Sequence, residues 1–205
     1  MVTEAFSQKK YTFARHTIGA LRVNLLAFIV SLPFAVVYIA VYAYAYPRIS
    51  HFTFFSSLSE SAYFIPFFFI MFFLVLFTLV TAHEVIHAII FVPFCIKKWR
   101  GILFRFRLLT PYAHCTEAIP IRAFQFAMIA PALFLSLPIS ILSVVWGSPF
   151  SFLITLIIIF SSGGDFVALI LTLRHRVRGT FILDEPDSTS YSVYIPKKNS
   201  MRIQN

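Results

Sequence analysis

Apolar residues occur in long runs, each about the length of a membrane-spanning helix, and polar residues occur in the segments between them. Four apolar stretches, at about residues 23–46, 62–96, 123–147 and 150–173, are separated by short polar segments. Each exceeds the roughly 20 residues that a helix needs to cross ~30 Å of hydrocarbon. The pattern therefore predicts an all-α integral membrane protein with four transmembrane helices. Residues 1–205 are expected to form a single membrane domain that ends in a polar tail from 174 to 205.

The first and second apolar stretches each allow a second interpretation. The first follows a basic leader, as a signal peptide would, but an apolar run of about 24 residues is more typical of a retained helix. The second is long for one span and too short for two spans with a turn. We expect one long or tilted helix there, bounded by Pro66 and Pro93.

Composition agrees with a bilayer environment. Hydrophobic residues make up 59% of the chain, charged residues 12%, and the mean hydropathy is +0.84. These values lie outside the range of soluble globular domains. The net charge of +9 does not indicate nucleic-acid binding, because a basic groove needs a folded polar surface that so apolar a chain lacks.

The positive charges instead indicate the orientation in the membrane. Lys and Arg number four before the first span, one in the first loop, six between spans two and three, and six after span four. The positive-inside rule then places both termini and residues 97–122 in the cytoplasm. Residues 47–61 and the turn at Gly147 are expected to face outward. The protein is thus predicted to be a multi-pass protein of the cell membrane, in contact with the lipid bilayer.

The loop between spans two and three contains Phe104, Arg105, Phe106 and Arg107. Alternation of this kind predicts a short cytoplasmic strand or one half of a hairpin. Such a strand could pair with an extended substrate, although an interfacial segment lying among lipid headgroups fits the pattern equally well. The two cysteines, Cys95 and Cys115, form no CxxC pair and no disulfide framework, and we expect them to be ordinary small apolar residues.

The second span contains an HExxH motif at residues 83–87. Residues four apart lie on one face of a helix, so His83 and His87 can share a tetrahedral metal ion. Glu84, beside the first ligand, can then activate water as a general base. Ionisable residues near the centre of a span cost on the order of 3 kcal/mol each, and a divalent cation would compensate them. The motif predicts a zinc site with a general base attached.

A catalytic zinc site needs a third protein ligand. Of the eight acidic residues, only Glu84 and Asp165 fall inside predicted spans. His87 lies ten residues before Lys97 and Asp165 nine before Arg174, so both lie about 14 Å from the cytoplasmic boundary on parallel helices. Asp165 is therefore the expected third ligand, and the preceding Gly163 and Gly164 would allow span four to approach closely or bend.

Other roles and ligands stay open at this point. Asp165 could instead form a helix-interrupting turn or pair with a buried cation, although no buried cation is available in the spans. His114, Cys115 and Glu117 in the cytoplasmic loop are rival third ligands if that loop folds back to the site. His16, His51 and His175 lie at span boundaries, where a solvated imidazole is the ordinary expectation.

These residues together resemble a known family. HExxH within a membrane helix, a loop with Tyr112, His114, Cys115 and Glu117, Ala130-Pro131 in the next span and Gly164-Asp165 in the last are similar to the zincin peptidases of bacterial integral membranes. That family is similar in plan to the site-two proteases. The resemblance covers about residues 75–190 and implies a zinc-dependent intramembrane endopeptidase with two His ligands and one Asp ligand. The chain differs from the site-two proteases in that Gly precedes Asp and no Asn lies in span four, so the oxyanion-stabilising group is not indicated.

The predicted function is hydrolysis of peptide bonds in membrane-protein or peptide substrates, with Zn²⁺ as cofactor. One alternative is a metal or proton transporter that uses the same His/Asp site. Glu84 and the almost wholly apolar outer half of span two favour the enzyme. A catalytically inactive scaffold is the other alternative, and the sequence leaves the oligomeric state and the substrate open.

Overall fold

The computed structural model describes residues 10–46, 64–107, 110–175, 177–185 and 190–197. Four apolar helical segments in this part of the chain are long enough to cross a membrane, at Ala20–Ala45, Ile65–Phe94, Ile121–Trp146 and Pro149–Thr172. Each bound lies within three residues of the predicted one. The prediction of four apolar helices long enough to span a membrane is confirmed, while the predicted outer loop at 47–61 lies outside the described residues.

The helices, numbered in chain order, divide two of the spans into shorter pieces. The first span is α1 (Ala20–Ala45) and the second is α2 (Phe64–Phe91), followed by a 3₁₀ turn at Val92–Phe94. The third contains α3 (Ile121–Pro131), a π-helical segment (Ala132–Ser136) and α4 (Leu137–Trp146). The fourth contains α5 (Pro149–Ser161) and α6 (Gly163–Thr172).

The second span is one uninterrupted helix, as predicted. Pro66 falls in the first turn of α2, where its missing N–H costs nothing, and Pro93 falls in the 3₁₀ turn that ends the span. Many apolar side chains of α2 remain exposed, such as Phe73 at 61%. In a bilayer these side chains would face lipid, which explains why so apolar a helix needs few protein neighbours.

Span four breaks between α5 and α6 at Ser162, and α1 packs closely against the break. A Cβ on Gly163 would overlap Ser31 Oγ and the backbone of Ala27. Two stacked ring pairs, Phe28 with Phe160 and Phe34 with Phe166, continue the contact on either side. The expectation that a glycine would permit close helix approach is confirmed for Gly163, whereas a Cβ on Gly164 would meet open space.

The loop between α2 and α3 contains the expected hairpin. Strand β2 (Ile102–Arg107) pairs antiparallel with β3 (Thr110–Cys115), with Phe104 opposite Ala113. Strand β3, not β2, packs against α2. The alternating Phe and Arg residues therefore belong to the strand on the far side of the hairpin.

The all-α prediction is wrong in one respect, because the structure contains a second, four-stranded sheet. Its strands are β1 (Tyr11–Thr17), β4 (Ile119–Pro120), β5 (Phe181–Asp184) and β6 (Ser190–Pro196), in the order β1-β6-β5-β4 with antiparallel pairing. Backbone groups outside the bilayer need partners, and these short segments find them in one another. The sheet gathers the chain before α1, before α3 and after α6 on one side of the helices. The prediction also grouped these segments on one side; that this side is cytoplasmic stays a prediction.

A buried apolar cluster joins the sheet, the hairpin and the adjoining ends of α2 and α3. It includes Phe91 of α2, Phe124 of α3, Ile182 of β5 and Val193 of β6. Contact between sheet and helices fixes the height of the hairpin beside α2. This height matters because the hairpin contributes a backbone group to the site.

The expectation for the cysteines is also wrong. Cys95, directly after the 3₁₀ turn of the second span, and Cys115, the last residue of β3, are joined in a disulfide and both are buried. The two positions are 20 residues apart in sequence and meet only because the hairpin folds back along α2.

Candidate metal centre

The HExxH helix turns its two histidines inward. His83 and His87 are 5% and 4% exposed, and their ring centroids lie 5.0 Å apart, one helical turn from each other. The spacing i, i+4 places both imidazoles on the face of α2 that meets the other spans. On a helix made mostly of Phe, Ile, Leu and Val, this face brings two imidazoles into the interior.

Asp165 approaches both histidines from the fourth span. Its Oδ2 atom lies 2.8 Å from His83 Nε2 and its Oδ1 atom 3.4 Å from His87 Nε2. The carboxylate reaches this position because α5 ends at Ser161 and α6 begins anew at Gly163, which puts Asp165 in a first helical turn. A carboxylate is favoured there by the helix dipole.

The three side chains could hold a metal ion. Their ligand atoms lie within 4.8 Å of one another, and within the described ranges they form the one group of three or more potential ligands. The Nδ1 atom of His83 is buried without a hydrogen-bond partner, so this ring directs its polar contacts through Nε2 toward the cluster. Two imidazole nitrogens and one carboxylate are a donor set that suits catalytic zinc with an open fourth position.

Glu84 lies beside this cluster but points toward the hairpin. Its Oε2 atom accepts a hydrogen bond of 2.7 Å from the backbone N–H of Ala113 in β3. That N–H is directed at α2 and away from β2, so the inner edge of the hairpin holds the carboxylate. A charged acceptor makes this hydrogen bond stronger than one between neutral groups.

The three rival ligands have other partners. His114 Nδ1 lies 3.4 Å from Asp184 Oδ2 in β5. Glu117 accepts hydrogen bonds from the backbone amides of Ile96 and Lys97, at 2.5 and 3.3 Å. Cys115 is bonded to Cys95. These residues contact partners within or beside the loop at 97–122 and do not join His83, His87 and Asp165.

Sequence reasoning missed the contribution of Ala113. A backbone amide has no sequence signature, and only the position of β3 beside α2 shows what it does. The alternation of Tyr191, Val193 and Ile195 with serines and Tyr194 could have predicted strand β6.

A helix bearing HExxH, with two His on one face and a Glu beside the first, is the signature of the zincin class of metallopeptidases. Residues 76–178 match the model of a family described as "Putative zincin peptidase". The match includes both histidines, Glu84, the hairpin and Asp165, and it spans half of the chain. The chain belongs to this family, as the sequence resemblance implied. No curated protein and no solved structure matches it.

Proposed function

We propose that the protein is a zinc-dependent intramembrane endopeptidase that hydrolyses peptide bonds of membrane-associated substrates. The observation that supports this most directly is the meeting of two imidazoles and one carboxylate within hydrogen-bond distance inside two membrane-spanning segments. Ionisable groups at such depth are costly unless they have a function or a compensating partner. Family membership supports the same reaction class.

His83, His87 and Asp165 would hold the zinc ion in this proposal. Zinc bound there would supply a Lewis acid that acidifies water and polarises a scissile carbonyl. Asp165 is the most accessible of the three side chains, at 19% exposed against 6% and 5% for the histidines. The open side of the cluster therefore lies along Asp165.

Glu84 is the proposed general base. Its position directly after His83 lets the carboxylate reach a water molecule near the cluster, accept its proton and pass that proton to the leaving amine. The Ala113 N–H holds one oxygen, Oε2, and the bond leaves Oε1 available for proton transfer.

The hairpin is the proposed substrate-positioning element. A transmembrane substrate must unwind locally, because a helix buries its carbonyl groups in its own hydrogen bonds, and pairing with a strand would hold it extended. The sequence pointed to residues 104–107 for this pairing. Strand β3 lies nearer the site, and the outer edge of β2 is left unpaired within the described sheets.

Zinc content tests the ligand assignment. We expect about one zinc per chain in detergent-purified protein, by atomic absorption, and loss of zinc in His83→Ala, His87→Ala and Asp165→Ala. His114→Ala is the matched control, because His114 is a buried histidine that contacts Asp184 and not the cluster. Wild-type protein without zinc, or zinc lost equally in the control, would contradict the assignment.

Cleavage of single-span peptides co-reconstituted in liposomes tests the activity. Glu84→Gln should retain zinc and lose cleavage by about 10²- to 10⁴-fold, the usual contribution of a general base. A zinc indicator enclosed in the same liposomes measures zinc entry, which distinguishes a transporter from a peptidase. Zinc entry without peptide cleavage would favour that alternative, and neither activity with zinc bound would favour a scaffold.

A further inference from the structure

Four polar side chains outside the metal centre meet where the first span begins and the fourth span ends. They are His16 in β1, Arg174 and His175 just after α6, and Tyr191 in β6. The rings of His16 and His175 lie 5.3 Å apart and those of His16 and Tyr191 5.2 Å apart. We call these four residues the boundary cluster.

Arg174 is the centre of the boundary cluster. Its NH2 group donates to His16 Nδ1 at 3.0 Å and to Tyr191 OH at 2.9 Å, and its Nε donates to His175 Nε2 at 3.1 Å. Arginine has five N–H donors and no acceptor. Each of the three neighbours must therefore accept in these contacts.

Because each neighbour accepts a hydrogen bond from Arg174, the donor that it can still offer to another group is determined. A neutral histidine that accepts at one ring nitrogen carries its proton on the other. His16 consequently presents Nε2–H and His175 presents Nδ1–H, while the Tyr191 hydroxyl keeps its own hydrogen to donate. His16 Nε2 is buried and without a hydrogen-bond partner. The hydrogen-bonding groups of the two histidine rings that remain available are therefore N–H donors.

The boundary cluster also carries a positive charge that forms no ion pair with a carboxylate of the described residues. Ion pairs among the described residues engage Arg15 with Glu185 and His114 with Asp184, and none includes Arg174. The nearest acidic residue in the sheet, Asp184, lies opposite Tyr191 in β5 but contacts His114. Burial, and after it the positive charge of the Arg174 guanidinium, lowers the pKa of both His16 and His175.

The boundary cluster lies beside the ends of two helices long enough to span a membrane, where lipid headgroups would be found. Arg174 is the second residue after the end of α6, and His16 lies four residues before the start of α1. Arg174 is exposed. A cationic group at the end of a span meets the phosphate layer of the membrane, where Arg is favoured.

We propose that the boundary cluster is a binding site for a phosphate group, supplied by a phospholipid headgroup or by free phosphate. Phosphate oxygens only accept hydrogen bonds when ionised, so they complement a set of groups that can only donate. The remaining guanidinium donors of the exposed Arg174 would bind the phosphate oxygens, while His16, His175 and Tyr191 hold the guanidinium in place.

Thermal unfolding of the full chain in detergent tests the site. The probes are dihexanoyl phosphatidylglycerol, dihexanoyl phosphatidylcholine and inorganic phosphate, each compared with chloride at equal ionic strength. At least one should raise the unfolding midpoint with a saturable dependence. Stabilisation by a phospholipid but not by inorganic phosphate assigns the ligand as a headgroup. Stabilisation by inorganic phosphate alone assigns free phosphate, and stabilisation by both assigns the phosphate group itself.

Matched variants separate the site from general charge effects. Arg174→Gln should abolish the ligand-dependent shift, and Arg178→Gln, which removes the same charge from an exposed position nearby, should retain it. Arg174→Lys keeps the charge but cannot donate to His16, His175 and Tyr191 at once, so this variant should bind the phosphate ligand about tenfold more weakly. If Arg174→Gln does not fold, the double variant His16→Gln and His175→Gln gives the same comparison. No saturable shift in the wild type, or an equal shift in the variants, would overturn the proposal.

Discussion

The carboxylate of Glu84 and the backbone N–H of Ala113 are 2.7 Å apart and link the HExxH helix to the inner edge of the hairpin. The link crosses 29 residues of sequence and involves no side chain of β3. It gives the proposed general base a fixed orientation, and it ties the site to a loop outside the membrane-spanning segments. The hairpin thus contributes to the site although it contains none of the expected zinc ligands.

Replacing Ala113 by Pro should remove this hydrogen bond without removing one from the hairpin ladder, because the N–H faces α2. We expect the cleavage rate to fall by about 10- to 100-fold, the range for loss of an outer hydrogen bond to a site residue. Zinc content should not change, since Glu84 is not a proposed ligand. Ala113→Gly, which keeps the amide, is the control. An Ala113→Pro protein that is folded and fully active would show that the hydrogen bond has no part in catalysis.

Removing zinc should lower the stability of the folded protein. A ligand that binds only the folded state stabilises it by about 2.7 kcal/mol at a free concentration 100 times its Kd. A chelator should therefore lower the unfolding midpoint of the wild type and leave that of Asp165→Ala unchanged. Equal effects of the chelator on both proteins would place the metal elsewhere.

Gly163→Ala should destabilise the packing of α1 against α6. The added Cβ would overlap the Ala27 backbone and Ser31 Oγ, and overpacking of this kind costs about 1–3 kcal/mol. Gly164→Ala is the matched control, because the next position along the same helix has open space. The midpoint of thermal unfolding in detergent should fall for the first variant and stay constant or rise slightly for the second. The reverse order would contradict the close approach of the two helices.

Acidification should weaken the boundary cluster. The pKa values of His16 and His175 lie below the ordinary 6.5 in the folded state, so the unfolded chain binds more protons as the pH falls through that value. Stability is then retained above about pH 6.5 and declines below it. Unfolding midpoints measured from pH 8 to pH 5 should fall less steeply in the double variant His16→Gln and His175→Gln than in the wild type. A steeper decline in the double variant would contradict the direction of these pKa shifts.

Reduction of the bond between Cys95 and Cys115 should also destabilise the protein. Closing a loop of this length lowers the entropy of the unfolded chain by an amount equivalent to about 3 kcal/mol. Unfolded, unreduced protein should show no thiol that reacts with maleimide, and a reductant should expose two. The double variant Cys95→Ser and Cys115→Ser should match the stability of the reduced wild type and no longer respond to the reductant. Two reactive thiols in oxidised protein would show that the bond does not form.

Local patterns were sufficient to predict much of the membrane part. The bounds of each span follow from hydropathy along a single segment, and the common face of His83 and His87 follows from the helical repeat. Asp165 could be chosen as the expected third ligand because few acidic residues lie in the spans. The rise per residue of a helix also places it at the same depth as His87. Each of these inferences needs information from one segment, or from two segments compared only for depth.

Hydropathy and the helical repeat thus predict, from the sequence, the number and ends of the four apolar helices and the residues that could hold a metal ion. Only the folded structure shows that β1 pairs with β6, far apart in sequence, that Cys95 bonds to Cys115, and that Ala113 holds Glu84. It also decided that His114 contacts Asp184 and stays away from the His83, His87 and Asp165 cluster. The physical reason is that these contacts join segments far apart in sequence through backbone pairing and packing, which leave little trace in the local pattern of either partner.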